Sequence, residues 1–94
     1  MDLKERTDLY NAVISKLGTI YQITMAIQEL AELIKELTNV LVMRNERIID
    51  LPGEIADVQI MLEQLILIFN NAASVELRRN EKLLRLKGLV DHVK

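Results

Sequence analysis

Residues 20–43 read IYQITMAIQELAELIKELTNVLVM, and apolar side chains recur along them at alternating spacings of three and four. This spacing is typical of one face of an amphipathic α-helix, which completes a turn every 3.6 residues. The apolar positions are Ile20, Ile23, Ile27, Leu30, Ile34, Leu37 and Leu41. Because the pattern persists to the end of the segment, the sequence predicts one long amphipathic helix.

The flanking segments predict a short helix before this one and a longer helix near the end of the chain. The short helix spans residues 7–16, with a threonine or an aspartate to cap its start and Gly18 to end it. The last helix spans residues 75–93 and is expected to be disturbed at Gly88.

The third predicted helix is apolar on nearly every side. Asp50 can cap it, and Pro52 lies in its first turn, where a missing N–H costs little. Asn70 marks the break at its end. Between Ile55 and Phe69, 11 of 15 residues are apolar, so this helix must be buried on most sides. Too few helices fit into 94 residues to cover it. We therefore expect a single all-α domain over residues 1–94, a four-helix bundle completed by a homodimer or homotetramer.

Composition excludes several classes of protein. The chain has no cysteine, which rules out thiolate catalysis, disulfides and zinc fingers. The formal net charge of −2 argues against a nucleic-acid polymer as partner. The longest apolar run, residues 65–69, is far shorter than the roughly 20 residues of a membrane span. We expect a soluble, cytoplasmic protein without a membrane partner.

Carboxylates on the second and third helices form the candidate site. Glu29, Glu32 and Glu36 share one face of the second helix, and Glu54 and Asp57 repeat the three-residue spacing on the third. A short connector favours antiparallel pairing, which brings both sets to facing positions if their registers match. Converging carboxylates suit hard divalent cations, which take oxygen ligands. The alternatives are a solvated face on the second helix and first-turn acids favoured by the dipole of the third.

The order of these acids resembles the ExxE…ExxD signature of the MazG-like all-α nucleoside triphosphate pyrophosphohydrolases. The similar segments are QELAELI at residues 28–34 and EIADVQIMLEQL at residues 54–65, with 21 residues between Glu32 and Glu54. The likeness covers about residues 7–90. It implies a MazG-like fold and hydrolysis of a nucleoside triphosphate between its α and β phosphates, which yields the monophosphate and pyrophosphate.

The resemblance also implies roles for the matched acids. Glu29, Glu32, Glu54 and Asp57 become ligands of magnesium, for which manganese could substitute. Such an ion neutralises the polyphosphate and lowers the pKa of a bound water. Glu32 or Glu36 is the candidate for a base that orients this water.

Polar and basic residues are candidates for binding the substrate. Gln22 resembles a position near the nucleotide in the family, although a plain surface glutamine is the alternative. Arg78, Lys82 and Arg85 share one helix face, and there they either contact phosphates or form a solvated surface. Further phosphate candidates are Lys35 and Arg44.

Two positions depart from the family pattern. Gln28 and Gly53 stand where short members often carry an additional acid beside each motif, so less negative charge surrounds the ligands. This departure leaves open a nucleotide sensor that binds without cleaving. A second alternative is a non-catalytic helical oligomerisation or adaptor module, in which the acids are surface charges or interface salt bridges.

Overall fold

The computed structural model describes residues 1–43 and 50–92. These residues form four α-helices and no strand: α1 (Leu3–Leu17), α2 (Thr19–Met43), α3 (Leu51–Phe69) and α4 (Ala72–His92). The prediction of an all-α chain with four helices is confirmed for this part of the sequence. None of these described helices combines the length and the apolarity needed to span a bilayer. Residues 44–49, which hold most of the predicted connector between the second and third helices, and the predicted helix end at Val93 lie outside the described residues.

Helix α1 begins four residues or more before its predicted start. Asp2 caps it, because the Asp2 Oδ1 atom accepts a hydrogen bond of 2.8 Å from the backbone N–H of Glu5. The predicted start at residue 7 or 8 is therefore wrong, and the overlooked signal was an aspartate followed three residues later by a glutamate. The predicted end is confirmed: Gly18 adopts a φ of 96° and donates its N–H to the Ile14 carbonyl at 2.9 Å.

The predicted ends of α3 are confirmed, whereas the predicted disturbance of α4 is wrong. Asp50 Oδ1 accepts a hydrogen bond of 3.1 Å from the Gly53 N–H at the start of α3, and Asn70 ends this helix in the left-handed conformation. Helix α4 continues through Gly88. A glycine inside an exposed helix costs about 1 kcal/mol but leaves the backbone hydrogen bonds intact, so it need not break the helix.

The core lies mainly between α2 and α3, which pack antiparallel. Helix α1 contacts both, while α4 contacts only α3 among the described helices and buries no residue. The buried side chains are Tyr10, Gln22, Ala26, Val58, Met61 and Gln64. This small core sets α2 and α3 in a defined register and so positions their carboxylates.

The apolar stripe of α2 does not face α3. Ile27 and Ile34 are each 63% exposed, and Ile20 and Leu41 are each 82% exposed. The face that packs on α3 is instead the one that carries Gln22 and the glutamates. The most regular apolar pattern of α2 therefore lies on the surface of this chain. The face that contacts α3 is less apolar.

Candidate metal centre

Two carboxylates come opposite each other because of the register between α2 and α3. In the core, the Gln22 Nε2 atom donates a hydrogen bond of 2.5 Å to Gln64 Oε1. Glu29 lies seven residues after Gln22, and Asp57 lies seven residues before Gln64. Because the helices are antiparallel, Glu29 and Asp57 lie at the same height along the helix pair, about two turns from the glutamine pair.

Three carboxylates form a cluster that we call the acid triad: Glu29, Glu54 and Asp57. Each offers one oxygen, and these oxygens all lie within 4.8 Å of one another. Ligand atoms held about 2.0–2.6 Å from a magnesium or calcium ion are at most ~5 Å apart. Glu29 and Glu54 are half-buried, and Asp57 is exposed, so the triad opens to solvent on one side.

Two oxygens of the triad are buried without a partner. Glu29 Oε2 and Glu54 Oε2 are inaccessible to solvent and accept no hydrogen bond within the part of the chain that the structure describes. A buried carboxylate oxygen without a donor or a positive charge is unfavourable, and most native structures avoid it. A cation bound by these carboxylates would neutralise both glutamates, so the residues present fit a divalent metal ion.

The electrostatic surroundings favour binding of a proton or a cation. Burial raises the pKa of Glu29 and of Glu54 above the ordinary glutamate value. Nearby negative charges raise both values further. The charges acting on Glu29 are Glu32, Asp57 and Glu54, and those acting on Glu54 are Glu32, Asp57, Glu36 and Asp50. Among the described residues, no lysine or arginine is among the groups that shift either pKa.

The predicted ligands and the predicted base lie in one neighbourhood. Glu29, Glu54 and Asp57 form the triad, while Glu32 lies beside it without being one of its three members. Glu36 lies near Glu54. The structure thus brings together acids that the sequence placed on two separate helices, and the assignment of ligand and base roles stays a prediction.

Asp50 belongs to this neighbourhood and was overlooked as a site residue. The sequence indicated it only as the cap of α3, yet its charge also acts on Glu54. The available signal was its position four residues before Glu54, a spacing that places two side chains on one side of a helix. A side chain at Gly53 would overlap the Asp50 carboxylate, so any larger residue here would require the capping side chain to move.

The predicted substrate contacts are not gathered at the triad. Gln22 is buried, and its amide is already engaged with Gln64. Lys35 is exposed on α2. Arg78, Lys82 and Arg85 are exposed on α4, where Arg78 pairs with Glu81 at 3.1 Å. Arg44 lies outside the described residues.

Comparison with known proteins does not assign a function to this site. No family model, no curated protein and no solved structure matches this chain. The resemblance to MazG-like pyrophosphohydrolases therefore stays a prediction. Within the described ranges, the site consists of an acid triad in which two oxygens are buried without a partner and two carboxyl groups have a raised pKa.

Proposed function

We propose that this chain is a divalent-cation-dependent nucleoside triphosphate pyrophosphohydrolase, which releases pyrophosphate and a nucleoside monophosphate. The observation that carries the proposal is the pair of buried oxygens, Glu29 Oε2 and Glu54 Oε2, which belong to triad residues and have no partner among the described residues. The ordered acid motifs on two successive helices support the same reaction class through the family resemblance.

The donor set of the site suits magnesium. Glu29, Glu54 and Asp57 supply only oxygen atoms, and the described residues contain no cysteine or histidine at this place. Manganese accepts the same ligands and is the expected substitute. When bound, such an ion supplies positive charge for the polyphosphate and acidifies a water molecule.

The acids around the triad have separate proposed tasks. Glu32 and Glu36 lie near Glu54 and are the candidates to accept a hydrogen bond from a water and take up its proton. Neither has to hold the ion for this role, because the triad provides three ligands without them. Glu32 is also a predicted ligand, so its replacement is expected to reduce both binding and turnover.

An assay of pyrophosphate release tests this proposal. The purified chain is incubated with each canonical nucleoside triphosphate and magnesium, alongside Glu32→Gln, Asp57→Asn and the control Glu81→Gln. Glu81 is an exposed α4 acid paired with Arg78, so its replacement removes a charge without touching the triad. We expect release by the native chain and by the control, and a loss of about tenfold or more in the site variants.

Two other results would point to a different function. Stabilisation by nucleotide together with magnesium, without any release, would identify a nucleotide sensor. If neither nucleotide nor magnesium changes stability and no pyrophosphate is released, the function is that of a non-catalytic oligomerisation module. The exposed apolar residues of α2 favour this alternative. Release that is equal in the native chain and in both site variants would show that the triad is not the catalytic centre.

A further inference from the structure

The outward face of α2 carries a heptad pattern, which we call the α2 seam. Two sets of apolar residues repeat every seven positions along it. The first set is Ile20, Ile27, Ile34 and Leu41, and the second set is Ile23, Leu30 and Leu37. The first set is 63–82% exposed, although it is composed of the side chains that gain most from burial.

The α2 seam also lacks charge along its whole length. The positions that follow the first set by four residues are small and uncharged, namely Thr24, Ala31 and Thr38. A helix face that meets only water normally carries charged residues. The charges of α2 are confined to its other sides, where Glu29, Glu32 and Glu36 lie at or beside the site and Lys35 is exposed. The seam therefore has the composition of a face covered by another helix.

The accessible surface of the chain is larger than that of a compact monomer of the same mass. Its accessible surface is 7869 Å², whereas a compact monomer of 10.8 kDa exposes about 5,500 Å². The radius of gyration is 16.5 Å, against about 12 Å for a compact chain of this length. The excess surface of about 2,300 Å² is larger than the roughly 800 Å² that each partner buries in a stable interface.

We propose that a second copy of this chain covers the α2 seam, with α2 of each copy packed against α2 of the other. A seam of Ile and Leu without charge is complementary to itself, which is the requirement of a two-fold interface. Three of the four residues in the first set are isoleucine and two of the three in the second set are leucine, a distribution close to the pattern of two-stranded assemblies. Helices α1 and α3 pack on α2 elsewhere and leave this face open.

Helices α3 and α4 are the competing surfaces. The exposed large apolar residues of α3 are 42–58% exposed, less than the 63–82% of the first set on the seam. The apolar pattern of α4 is weaker. This helix exposes several leucines, but between Glu76 and Lys82 its only apolar residue is Leu77. Charged residues interrupt any continuous apolar stripe there. The α2 seam has no such interruption over its length, so it is the face we assign to the second copy.

Light scattering after size exclusion tests the proposal with a matched pair of variants. We expect the native chain to have twice the 10.8 kDa mass of one copy. Ile27→Glu/Ile34→Glu places two charges on the seam, while Leu77→Glu/Leu89→Glu places two charges on α4 at residues of nearly equal exposure, 60% and 61%. The seam variant is expected to be a helical monomer by circular dichroism, and the α4 variant is expected to remain a dimer.

A cross-linking experiment keeps the proposal testable if the charged seam variant fails to fold. Because the chain contains no cysteine, Leu30→Cys introduces one thiol near the middle of the seam. Mild oxidation is expected to give a covalent dimer for Leu30→Cys and none for the control Leu84→Cys. A monomeric native chain, a dimer unaffected by the seam charges, or a cross-link at Leu84 alone would each overturn the proposal. These outcomes are independent of the cation site, since no triad residue lies on the seam.

Discussion

Gln22 and Gln64 meet in the core, where the Gln22 Nε2 amide donates a hydrogen bond of 2.5 Å to Gln64 Oε1. They are the two buried polar side chains among the described residues, and Gln64 Nε2 also lies 3.8 Å from Met61 Sδ. If α2 slipped along α3, both amides would lose their partner in apolar surroundings. The same register sets Glu29 opposite Asp57, so the core pair and the candidate site depend on each other.

Replacing both of these glutamines should destabilise the chain by less than the two single replacements added together. Gln22→Leu leaves the Gln64 amide buried and unpaired, and we expect a loss of about 1–3 kcal/mol in the free energy of unfolding. The double variant Gln22→Leu/Gln64→Leu removes both polar groups and should lose less than the sum of the single variants. Urea unfolding of the three variants measures this coupling. Additive losses would contradict a role of the pair in setting the register.

A divalent cation should stabilise the native chain through the acid triad. An ion that binds only the folded state adds about 2.7 kcal/mol when its concentration is 100-fold above Kd. We expect magnesium or manganese to raise Tm in the native chain and in the control Glu81→Gln, but not in Glu54→Gln. Differential scanning fluorimetry with and without the metal measures the effect. An equal rise in all three proteins would place the ion elsewhere.

Stability without a cation should fall as the pH rises above the ordinary glutamate pKa of 4.5. The pKa values of Glu29 and Glu54 are raised in the folded state, so the folded chain binds these protons more tightly than the unfolded chain. Their contribution is fully present below the unfolded pKa and is lost as the pH rises through the folded values. The measurement is urea unfolding at several pH values in a chelating buffer. The free energy of unfolding should change less with pH in Glu29→Gln/Glu54→Gln than in the native chain. The same pH dependence in both proteins would contradict the raised pKa values of Glu29 and Glu54. Added magnesium should stabilise the native chain more as the pH rises.

Glu63 ties α1 to α3, and its removal should be visible in the titration of Tyr10. The Glu63 carboxylate accepts hydrogen bonds of 3.1 Å from Tyr10 Oη and from Arg6 Nε. Burial raises the pKa of Tyr10, and the hydrogen bond and charge of Glu63 raise it further. In a Tyr21→Phe background, ultraviolet titration should show a lower Tyr10 pKa after Glu63→Gln, still above the ordinary value of 10.0 because burial persists.

The same substitution should have only a small effect on stability. Arg6 and Glu63 are 39% and 38% exposed, and an ion pair of this exposure contributes less than about 1 kcal/mol. An unchanged Tyr10 titration in Glu63→Gln would show that the hydrogen bond does not form in solution.

Asp50 should contribute to the stability of α3 through its cap and to the site through its charge. Asp50→Ala removes the acceptor for the Gly53 N–H and is expected to cost about 1 kcal/mol in urea unfolding. Asp50→Asn keeps a capping oxygen and should cost less, while it removes one of the charges that raise the pKa of Glu54. Equal losses in the two variants would contradict the capping role.

The helices could be predicted from the sequence because their signals are local. The three- and four-residue spacing from Ile20 onward, the cap at Asp50 and the break at Asn70 each involve residues within a few positions of one another. The start of α1 was misplaced although its signal, Asp2 followed by Glu5, was equally local. The spacing of the acids along each helix is likewise a property of the chain alone, since 3.6 residues per turn assign every side chain to a face.

Which faces meet is a long-range property, and only the tertiary structure decided it. The sequence favoured the stripe of Ile20 and Ile27 as the main apolar face, yet α2 contacts α3 through Gln22 and Ala26 and leaves the stripe exposed. The convergence of Glu29 with Glu54 and Asp57 depends on this choice and on the register of the glutamine pair. Periodicity specifies the faces of one helix, but packing between helices, which depends on shape and on the pairing of buried polar groups, selects among them.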